Sequence, residues 1–151
     1  MTTQAAKPSR KKLWIIVAAA VVVVVVVVGV FAVLMNQSVS PPAAPSGPNV
    51  VIWSGNFCNN AGNCGFVAGV HNVTVGTTVT WTNRGGMMHT VTICDANHSA
   101  SQCPALDATG LDSFDSQVAG GDMFSHTFTV AGTYYYYCRP HPWMQGEIIV
   151  H

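Results

Sequence analysis

Between Leu13 and Met35 the chain runs LWIIVAAAVVVVVVVVGVFAVLM, with no charge and no proline. No other stretch restricts folding as much. As a helix rising ~1.5 Å per residue it is roughly 34 Å long, enough for a bilayer core of ~30 Å. Eight successive valines make a poor helix in water. In lipid, where the backbone has no other hydrogen-bond partner, helix is forced. Lys7, Arg10, Lys11 and Lys12 precede the run, and no Lys or Arg comes after it until Arg84. The positive-inside rule then predicts a cytoplasmic segment 1–12, a membrane span 13–35 and an extracytoplasmic remainder, periplasmic or cell-surface. The competing reading is a cleaved signal peptide. Its apolar core is normally only ~7–15 residues long. The small-x-small triplet Ser38-Val39-Ser40 would also place Pro41 directly after the cut. A retained anchor is the preferred expectation, and both readings export the C-terminal remainder of the chain.

The formal net charge of the whole chain is zero, and that number conceals an asymmetry. After residue 35 there are two arginines against five Asp and one Glu, a balance of −4 with histidines neutral. Without a basic patch, nucleic acid is excluded as a partner class. Residues 36–49, NQSVSPPAAPSGPN, carry four prolines and form an extended tether. Beyond it, residues 50–151 are one domain whose pattern is β. VVIW at 50–53, NVTV at 72–75, TVTWTN at 78–83, HTVTIC at 89–94, MFSHTFTV at 123–130, TYYYYC at 133–138 and GEIIVH at 146–151 are predicted strands. Val79 and Trp81 share one face, as do Phe124, His126 and Phe128. About eight strands with short turns imply a small antiparallel sandwich. Residues 95–113 are expected to be a long connection, with at most one helical turn. The expectation for the remaining histidines is bland: His71, His98 and His151 at the surface, His126 partly buried.

Five cysteines stand at 58, 64, 94, 103 and 138. An exported domain favours pairing, and 58 with 64 and 94 with 103 is the local, preferred arrangement, although the sequence leaves three pairings of four cysteines open. Cys138 is then the odd thiol. It opens the segment Cys-Arg-Pro-His-Pro-Trp-Met at 138–144, at the end of a predicted strand. A thiolate, an imidazole three residues on and a thioether three further on are soft donors, and two prolines stiffen their loop. Two histidines, one cysteine and a weak axial methionine form the trigonal arrangement of electron-transfer copper. His89, at the start of HTVTIC, is the best candidate for the second histidine. His89, Cys138, His141 and Met144 are thus the predicted ligands of one Cu(I)/Cu(II) ion. Structural zinc would call for four Cys or His ligands, commonly a C-x2-C pair, which is missing. A dinuclear copper centre needs a second cysteine in the loop. A catalytic Cys–His pair lacks a helix N-terminus to activate the thiol.

With VTWTNRGGMMHTV at 79–91 and TFTVAGTYYYYCRPHPWMQGEIIV at 127–150, the segment from about Val50 to His151 resembles the cupredoxins of the plastocyanin/amicyanin group. The two-residue gaps on either side of His141 resemble amicyanin more than plastocyanin. The resemblance implies a Greek-key β-sandwich of about eight strands with copper at one end. It implies an electron carrier rather than an enzyme, exchanging single electrons with redox proteins of a membrane electron-transport chain. His141 is then expected to offer its ring edge to solvent, with Met87, Met88, Pro140, Pro142 and Trp143 as an apolar docking patch. By the same resemblance Asn83 braces the ligand loop through hydrogen bonds. The alternative function is an extracytoplasmic copper-binding or delivery module. The two cysteine pairs and the polyvaline run depart from the usual pattern of small cupredoxins.

Overall fold

The computed structural model describes residues 10–35, 40–98, 103 and 108–151. Lys7, Asn36, most of the triplet at 38–40 and much of the connection at 95–113 lie outside these. The described residues fall into two units. The first is a single helix, α1 (Arg10–Met35), of 26 residues. The side chains of residues 10–34 are exposed. It is long and apolar enough to cross a membrane, a property shared by a retained anchor and a signal sequence.

The second unit is a sandwich of nine strands. They are β1 (Asn49–Ser54), β2 (Cys64–Val67), β3 (Val70–Val73), β4 (Thr78–Asn83), β5 (His89–Ile93), β6 (Asp115–Val118), β7 (Met123–Thr127), β8 (Gly132–Cys138) and β9 (His141–Val150). One sheet has the order β2-β1-β4-β7 and the other β3-β9-β8-β5-β6. The predicted fold class holds, with two corrections. Among the described residues there are nine strands, and both sheets are mixed, because β1 runs parallel to β4 and β3 parallel to β9. β2 and β6 had no sequence signal. CGFV comes after an Asn/Gly-rich loop, and DSQV is a polar strand at a sheet edge, where one side of the ladder faces water. Among the described residues of this unit there is no helix.

Alternation builds the core. On β4, Val79, Trp81 and Asn83 are buried while their neighbours are not, as the period of two requires. Trp81 sits at the centre, with Phe124 stacked at 5.6 Å and Tyr136 edge-on at 5.4 Å. β5 is buried along its whole length. On β7, Phe124 and His126 face inward, and Phe128 just beyond the strand is fully buried. Tyr136 also lies across Gly146, its partner in the β8–β9 ladder. A Cβ at Gly146 would collide with the Tyr136 ring. Both cysteine pairs predicted from spacing are disulfides, Cys58–Cys64 and Cys94–Cys103, and Cys138 is free and buried.

Candidate metal centre

The β8–β9 hairpin makes the site. Cys138 and His141 face each other across the two-residue turn Arg139-Pro140. One step earlier, Tyr137 opposes Gln145, so residues 142–144 have no partner in the ladder and bulge out. That bulge carries Met144 inward, where it is 1% exposed. Pro140 and Pro142 have no amide N–H to offer a ladder, which keeps the segment irregular.

β5 supplies the other side. His89 begins the strand and is fully buried. The Cys138 Sγ lies 3.6 Å from His89 Nδ1 and 3.4 Å from His141 Nδ1. The two imidazoles are 4.9 Å apart between ring centres. A metal bonded to nitrogen at ~2.0–2.1 Å and to sulfur at ~2.3 Å, with near-tetrahedral angles, sets the N···S separation at roughly 3.5 Å. The three donors therefore stand at the spacing of atoms that share one ion. Their set, one thiolate and two imidazoles beside a thioether, suits copper.

Electrostatics agree with ligation by neutral imidazole. Burial, and then the charge of His141, pushes the His89 pKa down to about 4. Burial also lowers that of His141. The Cys138 thiol is raised by burial, against the opposing effect of backbone N–H groups, that of Thr90 first. The Thr90 N–H donates to Cys138 Sγ at 3.3 Å. Next to it, the Thr90 hydroxyl accepts the Arg139 N–H at 2.8 Å and the Thr92 hydroxyl at 3.0 Å. These bonds tie the cysteine end of the hairpin to β5.

Asn83 is fully buried. Its side-chain N–H groups donate to the carbonyls of Met87 and Val118, and its Oδ1 accepts the Gly85 N–H. The bracing expected of it runs to the loop that leads into His89, not to the 138–144 segment. Met88 is 47% exposed, while Met87 packs partly against the core. Trp143 meets the His141 ring edge-on at 5.5 Å. The remaining histidines stand apart from this group: His71 bonds the Asn49 carbonyl, His98 pairs with Asp95, and His126 packs on Phe114 and Phe128.

One pair of residues was missed as part of this region. The Cys58 Sγ is 3.7 Å from Met144 Sδ, and the Trp143 N–H donates to Cys64 Sγ at 3.4 Å. The first disulfide thus forms a wall of the site. The sequence signalled its pairing but not its position, because the loop that carries it lies some eighty residues from Met144.

Residues 57–151 match the family model described as copper binding proteins, plastocyanin/azurin family. Over 80 residues the chain is 38% identical to amicyanin of Paracoccus denitrificans, which covers 52% of this chain and 52% of that one. The chain therefore spans about half the length of that relative. It is 36% identical to plastocyanin of Scenedesmus fuscus over 80 residues, 52% of this chain and 78% of that one. Among solved structures it is similar to a purple cupredoxin from Nitrosopumilus maritimus, at 33% identity and a TM-score of 0.52, covering 68% of this chain and 98% of that one.

Proposed function

The chain belongs to the plastocyanin/azurin family of copper-binding proteins, and from that premise we propose that it is a one-electron carrier whose single copper ion is held by His89, Cys138, His141 and Met144. The observation that carries this reading is the placement of Cys138 Sγ at 3.6 and 3.4 Å from the two imidazole nitrogens. When bound, copper supplies a Cu(I)/Cu(II) couple. The protein's part is to hold the donors still. His89 is fixed by a buried strand and Cys138 by the Thr90 N–H, while Met144 is packed in the core. A frame that does not rearrange between oxidation states keeps the reorganisation cost of electron transfer low.

His141 is 8% exposed and sits where the hairpin turns. In this reading its edge is the electron port. Trp143, against its ring, together with Met88, Pro140 and Pro142 would offer apolar surface for brief docking by a redox partner. Met88→Lys, at the most exposed methionine of this patch, should slow transfer to such a partner at least several-fold and leave the copper spectrum unchanged. Equal rates would remove the docking surface from this position. α1, kept as an anchor with residues 1–12 in the cytoplasm, would hold the domain at the outer face of a membrane. The segment 36–49 would then act as a tether that raises its local concentration near membrane partners.

The decisive experiment is to load the protein with Cu(II) and record visible and EPR spectra for wild type and Cys138→Ser. An intense thiolate-to-copper band with small hyperfine splitting, lost in the variant, is the expected result. A colourless protein, or a tetragonal signal that survives the mutation, would overturn the reading.

A further inference from the structure

Two cysteine sulfurs, not one, border the paired imidazoles. Besides Cys138, ligand-capable atoms of Cys58, His89 and His141 all fall within 4.8 Å of one another, and all three residues are buried. Cys58 lies on the Met144 side of the group, 3.7 Å from its thioether. As half of a disulfide its sulfur is a weak, neutral donor. As a thiolate it would bind copper far more strongly than a thioether does. The Cys94–Cys103 disulfide differs: among the described residues no such group includes it.

The loop around Cys58 is held by more than the disulfide. Asn63 is nearly buried, and its Oδ1 accepts the N–H groups of Asn59 and Asn60 at 3.2 and 3.3 Å. Its side-chain amide donates to Asn59 Oδ1 at 2.6 Å, and its carbonyl accepts the Gly55 N–H at 2.7 Å. None of these bonds uses sulfur, so the loop beside Cys58 has ties that do not depend on the S–S bond.

We propose that Cys58 is a latent second thiolate ligand of the copper site, released when a dithiol reduces the Cys58–Cys64 bond. The inference rests on the copper-carrier reading. In the exchange the dithiol closes its own S–S bond as the Cys58–Cys64 bond breaks. Its two protons end on Cys58 and Cys64, so the dithiol is oxidised and the protein disulfide reduced by the same two electrons. Cys58 then gives its proton to solvent on binding copper and displaces the Met144 thioether. An oxidised dithiol reverses the exchange. The site would thereby have two ligand sets, one of a single thiolate with a thioether and one of two thiolates.

The test uses the full chain in detergent, loaded with Cu(I) without air, and X-ray absorption to count sulfur atoms bonded to copper. Wild type should show one short copper–sulfur bond, Cys64→Ser two, and the double variant Cys58→Ser/Cys64→Ser one. Wild type treated with a dithiol, desalted and then loaded should also show two, which makes the result independent of how the variants fold. The Cu(II) forms should agree, with the thiolate-to-copper band displaced in Cys64→Ser but not in the double variant. Equal sulfur counts in the single and double variants, or one sulfur in the dithiol-treated protein, would overturn the proposal and leave the disulfide as a wall. A wild type with no thiolate band at all would instead overturn the copper reading itself.

Discussion

The two disulfides close loops of similar length, with sequence separations of 6 and 9, yet stand in opposite surroundings. Cys58–Cys64 belongs to the hydrophobic core and touches Met144 and Trp143. Cys94–Cys103 leaves the end of β5 beside a charged cluster. There His98 pairs with Asp95 at 2.9 Å, and Arg139 meets Asp115 at 3.3 Å. Cysteine spacing alone distinguishes neither role. What separates them is which loop the sandwich folds over the end of the β8–β9 hairpin. The same contrast divides the domain as a whole. One end is lined by sulfur and imidazole and serves a site, while beyond the end of β5 Asp95 holds His98, and Asp115 on β6 holds Arg139.

Removing the second disulfide tests this contrast most strongly. Cys94→Ser/Cys103→Ser should cost ~2–3 kcal/mol of stability, from the chain entropy that a short crosslink removes. It should leave the Cu(II) spectrum as it is. A thermal melt and an absorption spectrum check both halves, and a changed spectrum would break the division between the two ends.

A smaller effect is expected at Asp112, which fastens the long connection to the turn after β7. Its carboxylate accepts the Thr129 amide and hydroxyl, at 2.5 and 2.6 Å, and lies 3.2 Å from the Tyr134 hydroxyl. Burial raises its pKa, but the Thr129 bonds outweigh that, so the group stays below the ordinary carboxylate range. A carboxyl more acidic folded than unfolded adds stability above its unfolded pKa of ~3.9 and loses it as pH falls through the lower folded value. Asp112→Asn should cost about 1 kcal/mol at neutral pH, a low figure because the carboxylate remains solvated. The gap should close in strong acid. Denaturant titrations at pH 7 and pH 2 measure it, and a constant gap would refute the ionic contribution.

The smallest effect concerns His126, packed between Phe114 and Phe128 with its Nε2 buried and unbonded. Burial lowers its pKa, and Asp112 pulls weakly the other way. A histidine more acidic folded than unfolded costs stability as pH drops below the unfolded value of ~6.5. His126→Phe in the copper-loaded protein should flatten the acid-side loss of stability by about one proton. An unchanged slope would show that this ring takes up no proton on unfolding.

Local pattern carried a large share of the fold. β4 and β8 were visible close to where they lie, because runs rich in β-branched and aromatic side chains fit a strand, and on β4 they also alternate. Cys138, His141 and Met144 were visible because they share one short segment, and His89 because it opens a strong strand. β2 and β6 stayed hidden, since their residues acquire strand geometry only from a neighbour that completes the ladder. The parallel pairing of β1 with β4 and of β3 with β9 was hidden for the same reason. Hydrogen-bond direction between distant strands leaves no mark on either one.

By itself the sequence determined that an apolar helix precedes a β-sandwich, and that thiolate, imidazole and thioether donors meet at one turn. Those are consequences of periodicity and donor chemistry, which act over a few residues. Only the tertiary structure decided that Asn83 braces the His89 loop, that Thr90 donates to Cys138, and that the Cys58–Cys64 disulfide lies against Met144. These contacts join residues from 2 to 86 positions apart, and the longer ones are set by the packing of two sheets over a shared core rather than by local sequence.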